Sequence, residues 1–179
     1  EVNQLPADYN EQQARLESAL AAGGLIDLMS IDVSLLGRFV DRRQLAALPA
    51  TDQRRLRETV LGGPLAANTV YGDVVAFPMY ANTQLLWYRK SVAEQAGIDP
   101  ADGPVTWDQV IDAAEATDTT VAVTGGRYEG YMVWINALVM SAGGEVLEDP
   151  DAGKDAKPEL ESDAGRTATD IIHRLATTV

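Results

Sequence analysis

The stretch AFPMYANTQLLWYRK, residues 76–90, decides how the rest of the chain is interpreted. Its apolar residues are typical of buried extended backbone, and they predict a strand over 81–89. Pro78 interrupts the pattern, because proline cannot donate a hydrogen bond to a sheet ladder. Tyr80 and Asn82 follow it and place a phenol and an amide among apolar neighbours. The stretch therefore combines strand character, a break and polar groups able to bind a ligand.

Predicted helices and strands alternate on both sides of this stretch. Glycines, prolines and hydroxyl or carboxyl residues mark the helix ends, with Asp8, Thr51, Thr106 and Ser162 as expected starts and Gly97 as an expected stop. The helices are predicted over 6–24, 34–45, 52–61, 90–100, 104–116, 127–144 and 162–179, the strands over 25–31, 81–89 and 120–126, and a hairpin over 68–80 around Tyr71–Gly72–Asp73.

This alternation predicts an α/β layer architecture. In such sheets, ligands bind beyond the carboxyl ends of the strands. Asp32 follows the predicted strand 25–31 and has two interpretations: it faces a ligand at the strand end, or it caps the helix that begins near Ser34.

Composition narrows the classes of function. The chain has 179 residues, which suffices for one large domain or two small ones, and a formal net charge of −13. That charge repels nucleic acid and anionic membrane surfaces, so neither is expected as a partner. The chain contains no cysteine, which excludes disulfides, thiol nucleophiles and cysteine zinc sites from it.

The usual catalytic motifs are absent from the sequence. It has no glycine-rich phosphate loop, no HExxH and no G-x-S-x-G, and its single histidine, His173, falls among core positions of the last predicted helix. We expect no catalytic residues, no metal and no cofactor. Carboxylates, amides and tyrosines at loop positions suit a sugar, whose hydroxyls they bind and whose C–H face an aromatic ring covers. The predicted ligand-binding residues are Asp32, Tyr80, Asn82, Tyr128 and Glu129.

Three stretches carry a resemblance to a known family. They are YGDVVAFPMYANTQLLWYRKSVAEQAGIDPADGPVTWDQV (71–110), ALAAGGLIDLMSIDV (19–33) and GGRYEGYMVWINALVMSAGGEVL (125–147). In this order they resemble the signatures of family 1 extracellular solute-binding proteins of ABC importers, and the resemblance covers nearly the whole chain. The Y-E-G at 128–130 is similar to the trehalose/maltose-binding branch, which includes lipoproteins of actinobacterial sugar importers.

The resemblance implies a fold and a site. The fold is a two-lobed periplasmic-binding-protein-like α/β fold (type II, Venus-flytrap), of which this chain covers part of both lobes. Residues 1–75 then belong to the first lobe, 76–82 to a hinge crossing and 83–179 to the second lobe. In the family pattern, the positions of Asp32 and Asn82 face the sugar, and those of Tyr128 and Glu129 supply the contacts of the second lobe.

The implied function is the substrate-binding component of an ABC transporter. It captures a trehalose- or maltose-like disaccharide between the lobes, without catalysis, and delivers it to permease subunits. The resemblance implies an extracytoplasmic, cell-surface lipoprotein whose lipid anchor lies upstream of this chain. Family members are more than twice as long, so we expect residues 1–179 alone to be poorly soluble and to bind sugar hardly at all.

Two alternatives stay open. The first is a glycoside hydrolase that uses Asp32 and Glu129, which requires carboxylates about 5–10 Å apart. The second is an interaction domain without a small ligand.

Overall fold

The computed structural model describes residues 2–24 and 26–178. The chain forms two compact units, Glu1–Thr83 and Gln84–Val179. The predicted crossing at 76–82 falls in the last residues of the first unit, and its role as a hinge stays a prediction.

The first unit is mainly helical and carries one short β-ribbon. Its elements are α1 (Tyr9–Ala21), a 3₁₀ turn (Val33–Leu35), α2 (Leu36–Asp41), α3 (Ala50–Thr59), α4 (Gly62–Ala67), β1 (Thr69–Val70) and β2 (Asp73–Val74).

The core of the first unit forms where α2 and α3 meet the ribbon. Leu36, Phe39 and Val74 are almost fully buried there. β1 and β2 pair antiparallel, and the Tyr71–Gly72 turn between them has positive φ at both residues. Since this backbone matches the twist of a tight hairpin, the predicted hairpin is confirmed, with strands of two residues each.

The second unit is a helical assembly. Its elements are α5 (Lys90–Ala96), α6 (Trp107–Ala116), α7 (Glu129–Ser141), a 3₁₀ segment (Pro150–Asp155) and α8 (Asp163–Thr178). Helices α6, α7 and α8 bury a common core of Ile111, Trp134, Leu138, Val139, Ala164, Ala168, Ile171 and Leu175.

Arg174 of α8 forms hydrogen bonds with two aspartates of α6. Arg174 donates to Asp108 at 2.5 Å and to Asp112 at 2.8 Å. The pKa of Arg174 is raised above its ordinary value, mainly by the hydrogen bond to Asp112; desolvation is the next largest effect and opposes the rise, and the negative charges of Asp108, Asp112 and Glu115 add to it.

Local capping signals predicted most helix ends correctly. The Asp8 carboxylate caps α1, Thr106 and Gln109 form a capping box at α6, and Gly97 ends α5 in the left-handed conformation with φ 73°. The Ser162 hydroxyl accepts from the Gly165 N–H at 3.2 Å at the start of α8. These signals act within one turn of chain, so they do not depend on distant contacts.

The start of α3 and the glycines after it were predicted wrongly. The N-cap of α3 is Pro49 rather than Thr51, and the helix ends at Thr59. Gly62–Gly63–Pro64 begins α4 instead of ending a helix, because proline in a first helical turn loses no intrahelical hydrogen bond.

The predicted strands did not form. Residues 26–31, 81–89 and 120–126 contain no strand, and Leu25 lies outside the described residues. An apolar run becomes a strand only when a neighbouring strand pairs with its backbone, and β1–β2 is the only sheet in the described part of the chain. The chain is therefore helix-rich, with far less sheet than the predicted α/β layers require.

Candidate functional site

Asp32 is a capping residue in this structure. It is the N-cap of the 3₁₀ turn Val33–Leu35, and its Oδ1 accepts from the Ser34 backbone N–H at 2.9 Å and from the Ser34 hydroxyl at 2.7 Å. No strand precedes Asp32 within residues 26–31, so the strand-end position is wrong and the capping interpretation is confirmed. A ligand contact by the same carboxylate stays a prediction.

A tyrosine from α1 extends this arrangement. The Tyr9 hydroxyl lies 2.9 Å from the Ser34 hydroxyl. Since Ser34 gives its single hydroxyl proton to Asp32, Tyr9 must donate to Ser34. The resulting chain of donors fixes the orientation of one Asp32 oxygen. The spacing Asp-x-Ser indicated the cap, but nothing in the sequence indicated the tyrosine.

Tyr80 and Asn82 lie in an exposed segment of the first unit that has no regular secondary structure. The Tyr80 side chain is 71% exposed and the Asn82 side chain is also exposed. Neither forms a side-chain hydrogen bond within the described residues. Their polar groups are therefore available to a ligand, although the structure does not position them against another part of the unit.

The segment that carries them is unusually apolar for an exposed one. Phe77, Met79, Leu85 and Trp87 are all exposed, Trp87 by 88%. In the part of the chain that the structure describes, no backbone group donates to or accepts from the backbone of 76–88. Unpaired backbone groups beside exposed apolar side chains leave this segment able to pair with or pack against another element.

Tyr128 and Glu129 begin α7 in the second unit. Tyr128 is the N-cap residue, and its backbone N–H donates to the Gly126 carbonyl at 2.8 Å. Its side chain is 46% exposed, whereas Glu129 is half-buried. A carboxylate in the first turn of a helix interacts favourably with the helix dipole. A half-exposed ring next to it can cover the apolar face of a sugar.

The five predicted residues are divided between the two units. Asp32, Tyr80 and Asn82 belong to the first unit, and Tyr128 and Glu129 to the second. Within the second unit the structure brings Tyr128 and Glu129 together as neighbours on one helix start. Asp32 and Glu129, the two carboxylates of the hydrolase alternative, belong to different units, and that alternative stays a hypothesis.

Two small cavities lie within the second unit, and neither is lined by the predicted residues. One, of about 180 Å³, lies where α6 and α8 end, and Glu115, Asp118 and three threonines contribute to it. The other, of about 150 Å³, lies beside α5, with Tyr88, Lys90 and Glu94 among its lining residues. Both volumes are below the several hundred Å³ of an ordinary ligand pocket, so neither is a candidate sugar site by itself.

The described residues show neither a metal cluster nor a membrane-spanning helix. Over residues 2–24 and 26–178, no three histidine, cysteine, aspartate or glutamate side chains are grouped closely enough to hold a metal ion. Within those same residues, no helix has the length and apolar character needed to cross a membrane. His173 is exposed on α8 and is a surface residue.

A protein-family model matches almost the whole chain. The family model of the bacterial extracellular solute-binding proteins matches residues 1–175. No solved structure matches the chain.

Curated relatives match over shorter stretches. A stretch of 64 residues is 33% identical to the sn-glycerol-3-phosphate-binding periplasmic protein UgpB of Agrobacterium fabrum, covering 36% of this chain and 15% of that protein. A stretch of 95 residues is 30% identical to the protein of the same name from Brucella abortus (strain 2308), covering 51% of this chain and 22% of that protein. The chain therefore matches under a quarter of the length of these relatives.

Proposed function

The chain belongs to the bacterial extracellular solute-binding protein family, and we propose on that basis that it is part of the ligand-capturing component of an ABC importer. The match of the family model over residues 1–175 carries this proposal. The protein binds a sugar outside the cytoplasm and delivers it to permease subunits in the membrane. It does so by reversible binding, without turnover.

The ligand that we propose is a neutral disaccharide, trehalose or a maltose-like sugar. The half-exposed Tyr128 ring and the exposed Asn82 amide are suited to the C–H face and the hydroxyls of a sugar. Asp32 and Glu129 would accept hydrogen bonds from adjacent hydroxyls. Carboxylates in the site and a net charge of −13 disfavour an anionic ligand.

The proposed mechanism is closure of two lobes on the sugar, with 76–82 as the crossing between them. A ligand shifts such an equilibrium only if it binds the closed form more tightly than the open one. Contacts from the first unit through Asp32, Tyr80 and Asn82, and from the second through Tyr128 and Glu129, would provide that difference. Attachment to the cell surface through an upstream lipid anchor belongs to the same proposal.

A second candidate ligand is sn-glycerol 3-phosphate. It is favoured by the Agrobacterium and Brucella relatives, which are named as sn-glycerol-3-phosphate-binding proteins. A phosphate requires a cation or free N–H groups at a helix N-terminus, and Arg127 directly precedes the N-cap residue of α7. The nearby Glu129 would repel the phosphate, so the neutral sugar stays the first choice.

Isothermal titration calorimetry of the full-length protein tests both candidates. Trehalose, maltose and sn-glycerol 3-phosphate are titrated separately, with sucrose as a further disaccharide. Saturable heat with trehalose or maltose supports the proposed ligand, and heat with sn-glycerol 3-phosphate alone replaces it by the second candidate. Release of glucose during incubation with either α-linked glucose disaccharide would instead support the glycoside hydrolase.

A further inference from the structure

The ring of Tyr128 lies in space that two glycines leave empty. A Cβ atom added at Gly130 would lie 2.7 Å from the Tyr128 hydroxyl oxygen and 2.8 Å from Cζ. A Cβ atom added at Gly126 would lie 3.3 Å from Cδ1 and from Cε1. The ring therefore has one edge against Gly126 and its hydroxyl end against Gly130.

Backbone conformation does not explain either glycine. Neither Gly126 nor Gly130 is among the residues with positive φ, so an L-amino acid could adopt both conformations. Gly130 also lies in the first turn of α7, where alanine is the better helix former. What a glycine at 130 permits is the observed position of the tyrosine ring, which a Cβ atom there would overlap.

We propose that Gly130, assisted by Gly126, is a positioning residue that holds the Tyr128 ring as a platform for the apolar face of the ligand. This inference rests on the proposed function, in which Tyr128 contacts the sugar. The ring is folded back against the start of its own helix, with about half of its surface left open to a ligand. A Cβ atom at 130 displaces this ring and so changes the position of the platform.

The clash at Gly130 can be relieved cheaply. The atoms that a new Cβ would meet are the hydroxyl, Cζ and Cε2 at the far end of the Tyr128 side chain, not backbone atoms. Rotation of the tyrosine removes the overlap, so Gly130→Ala should fold with an unchanged or slightly raised melting temperature. The variant therefore separates the position of the ring from the stability of the protein.

The first measurement follows the ring without ligand. The full-length protein is labelled with 3-fluorotyrosine, and the ¹⁹F resonance of Tyr128 is assigned by its loss in Tyr128→Phe. We expect this resonance to shift in Gly130→Ala and, less, in Gly126→Ala. Gly125→Ala is the matched control, because its Cβ would meet nothing within 4 Å. An unchanged Tyr128 resonance in Gly130→Ala overturns the inference.

The second measurement is a double-mutant cycle on affinity. We expect Gly130→Ala to weaken trehalose binding about threefold to tenfold, the range of one misplaced aromatic contact. In a Tyr128→Ala background the same substitution should have no effect, since no ring is left to displace. An equal loss of affinity in both backgrounds overturns the inference, because Gly130 would then act independently of the tyrosine.

Failure of the inference and failure of the proposed function give different results. If the unmodified protein binds none of trehalose, maltose and sn-glycerol 3-phosphate, the proposed function fails, and the role of the ring as a platform fails with it. The ¹⁹F shift still decides whether Gly130 positions the ring. If the unmodified protein binds trehalose and Gly130→Ala binds it equally well despite a shifted resonance, only the inference is overturned.

Discussion

The Oδ1 atom of Asp32 accepts two hydrogen bonds from Ser34, one from its backbone N–H at 2.9 Å and one from its hydroxyl at 2.7 Å. The Ser34 hydroxyl is in turn bonded to the hydroxyl of Tyr9 at the start of α1. A carboxylate proposed to bind sugar is thus also a structural cap. The two roles have different consequences when the residue is changed.

Replacing Asp32 by a residue that cannot cap the 3₁₀ turn should lower the stability of the protein. We expect Asp32→Ala to lower the free energy of unfolding by about 1 kcal/mol, the usual value of an N-cap, and the melting temperature by about 2–4 °C. Asp32→Asn keeps a capping oxygen and should melt close to the unmodified protein. Circular dichroism melts of the three proteins check this. Equal melting temperatures for Asp32→Ala and the unmodified protein would contradict the capping role.

The same pair of variants measures the contribution of Asp32 to the affinity for the ligand. If its charge accepts hydrogen bonds from a sugar, Asp32→Asn should weaken trehalose binding while stability is preserved. An affinity that is unchanged in Asp32→Asn would restrict Asp32 to the cap.

Replacing Asn82 should weaken ligand binding and leave the stability of the protein unchanged. Its amide is exposed and makes no side-chain hydrogen bond within the described residues, so Asn82→Ala should leave the melting temperature unchanged. If the amide binds the sugar, its loss should cost about 1–3 kcal/mol, or about tenfold to hundredfold in affinity. Calorimetry with trehalose measures this, with Thr83→Ala as an exposed neighbouring control. A drop in melting temperature would instead indicate a structural role.

Gly165 should tolerate alanine far less well than Gly130. A Cβ at Gly165 would lie 1.9 Å from the Leu160 carbonyl oxygen and 2.7 Å from its carbonyl carbon. Because these are backbone atoms, α8 must move away from the preceding turn, at a cost of about 3 kcal/mol. Urea denaturation followed by far-UV circular dichroism measures the change. The control is Gly103→Ala, where a Cβ would meet nothing within 4 Å. Matching midpoints for the two variants would show that the close approach is absent in solution.

Residues 1–179 expressed alone should self-associate and bind trehalose hardly at all. The cause is the exposed apolar side chains of Leu85 and Trp87 on backbone that has no pairing strand among the described residues. Size-exclusion chromatography with light scattering measures association, and Leu85→Ser with Trp87→Ser should reduce it. A soluble monomer with affinity near that of the full-length protein would contradict the two-lobe assignment.

The sequence by itself predicted the features whose physics is local. The caps at Asp8, Thr106 and Ser162, the stop at Gly97 and the turn at Tyr71–Gly72 each depend on a few adjacent residues. Hydrogen bonds within one turn and the permitted φ of glycine decide them, so the pattern of residue types is sufficient. The family signatures could likewise be recognised from the sequence alone.

Only the tertiary structure decided the features that depend on residues far apart or on the direction of a side chain. The apolar runs 81–89 and 120–126 predicted strands, but a strand requires a partner that the described residues do not supply. The hydroxyl chain from Tyr9 to Asp32 joins residues that the sequence separates by 23 positions. The Tyr128 ring between Gly126 and Gly130 depends on a rotamer, which sequence pattern does not specify because several rotamers are compatible with one backbone.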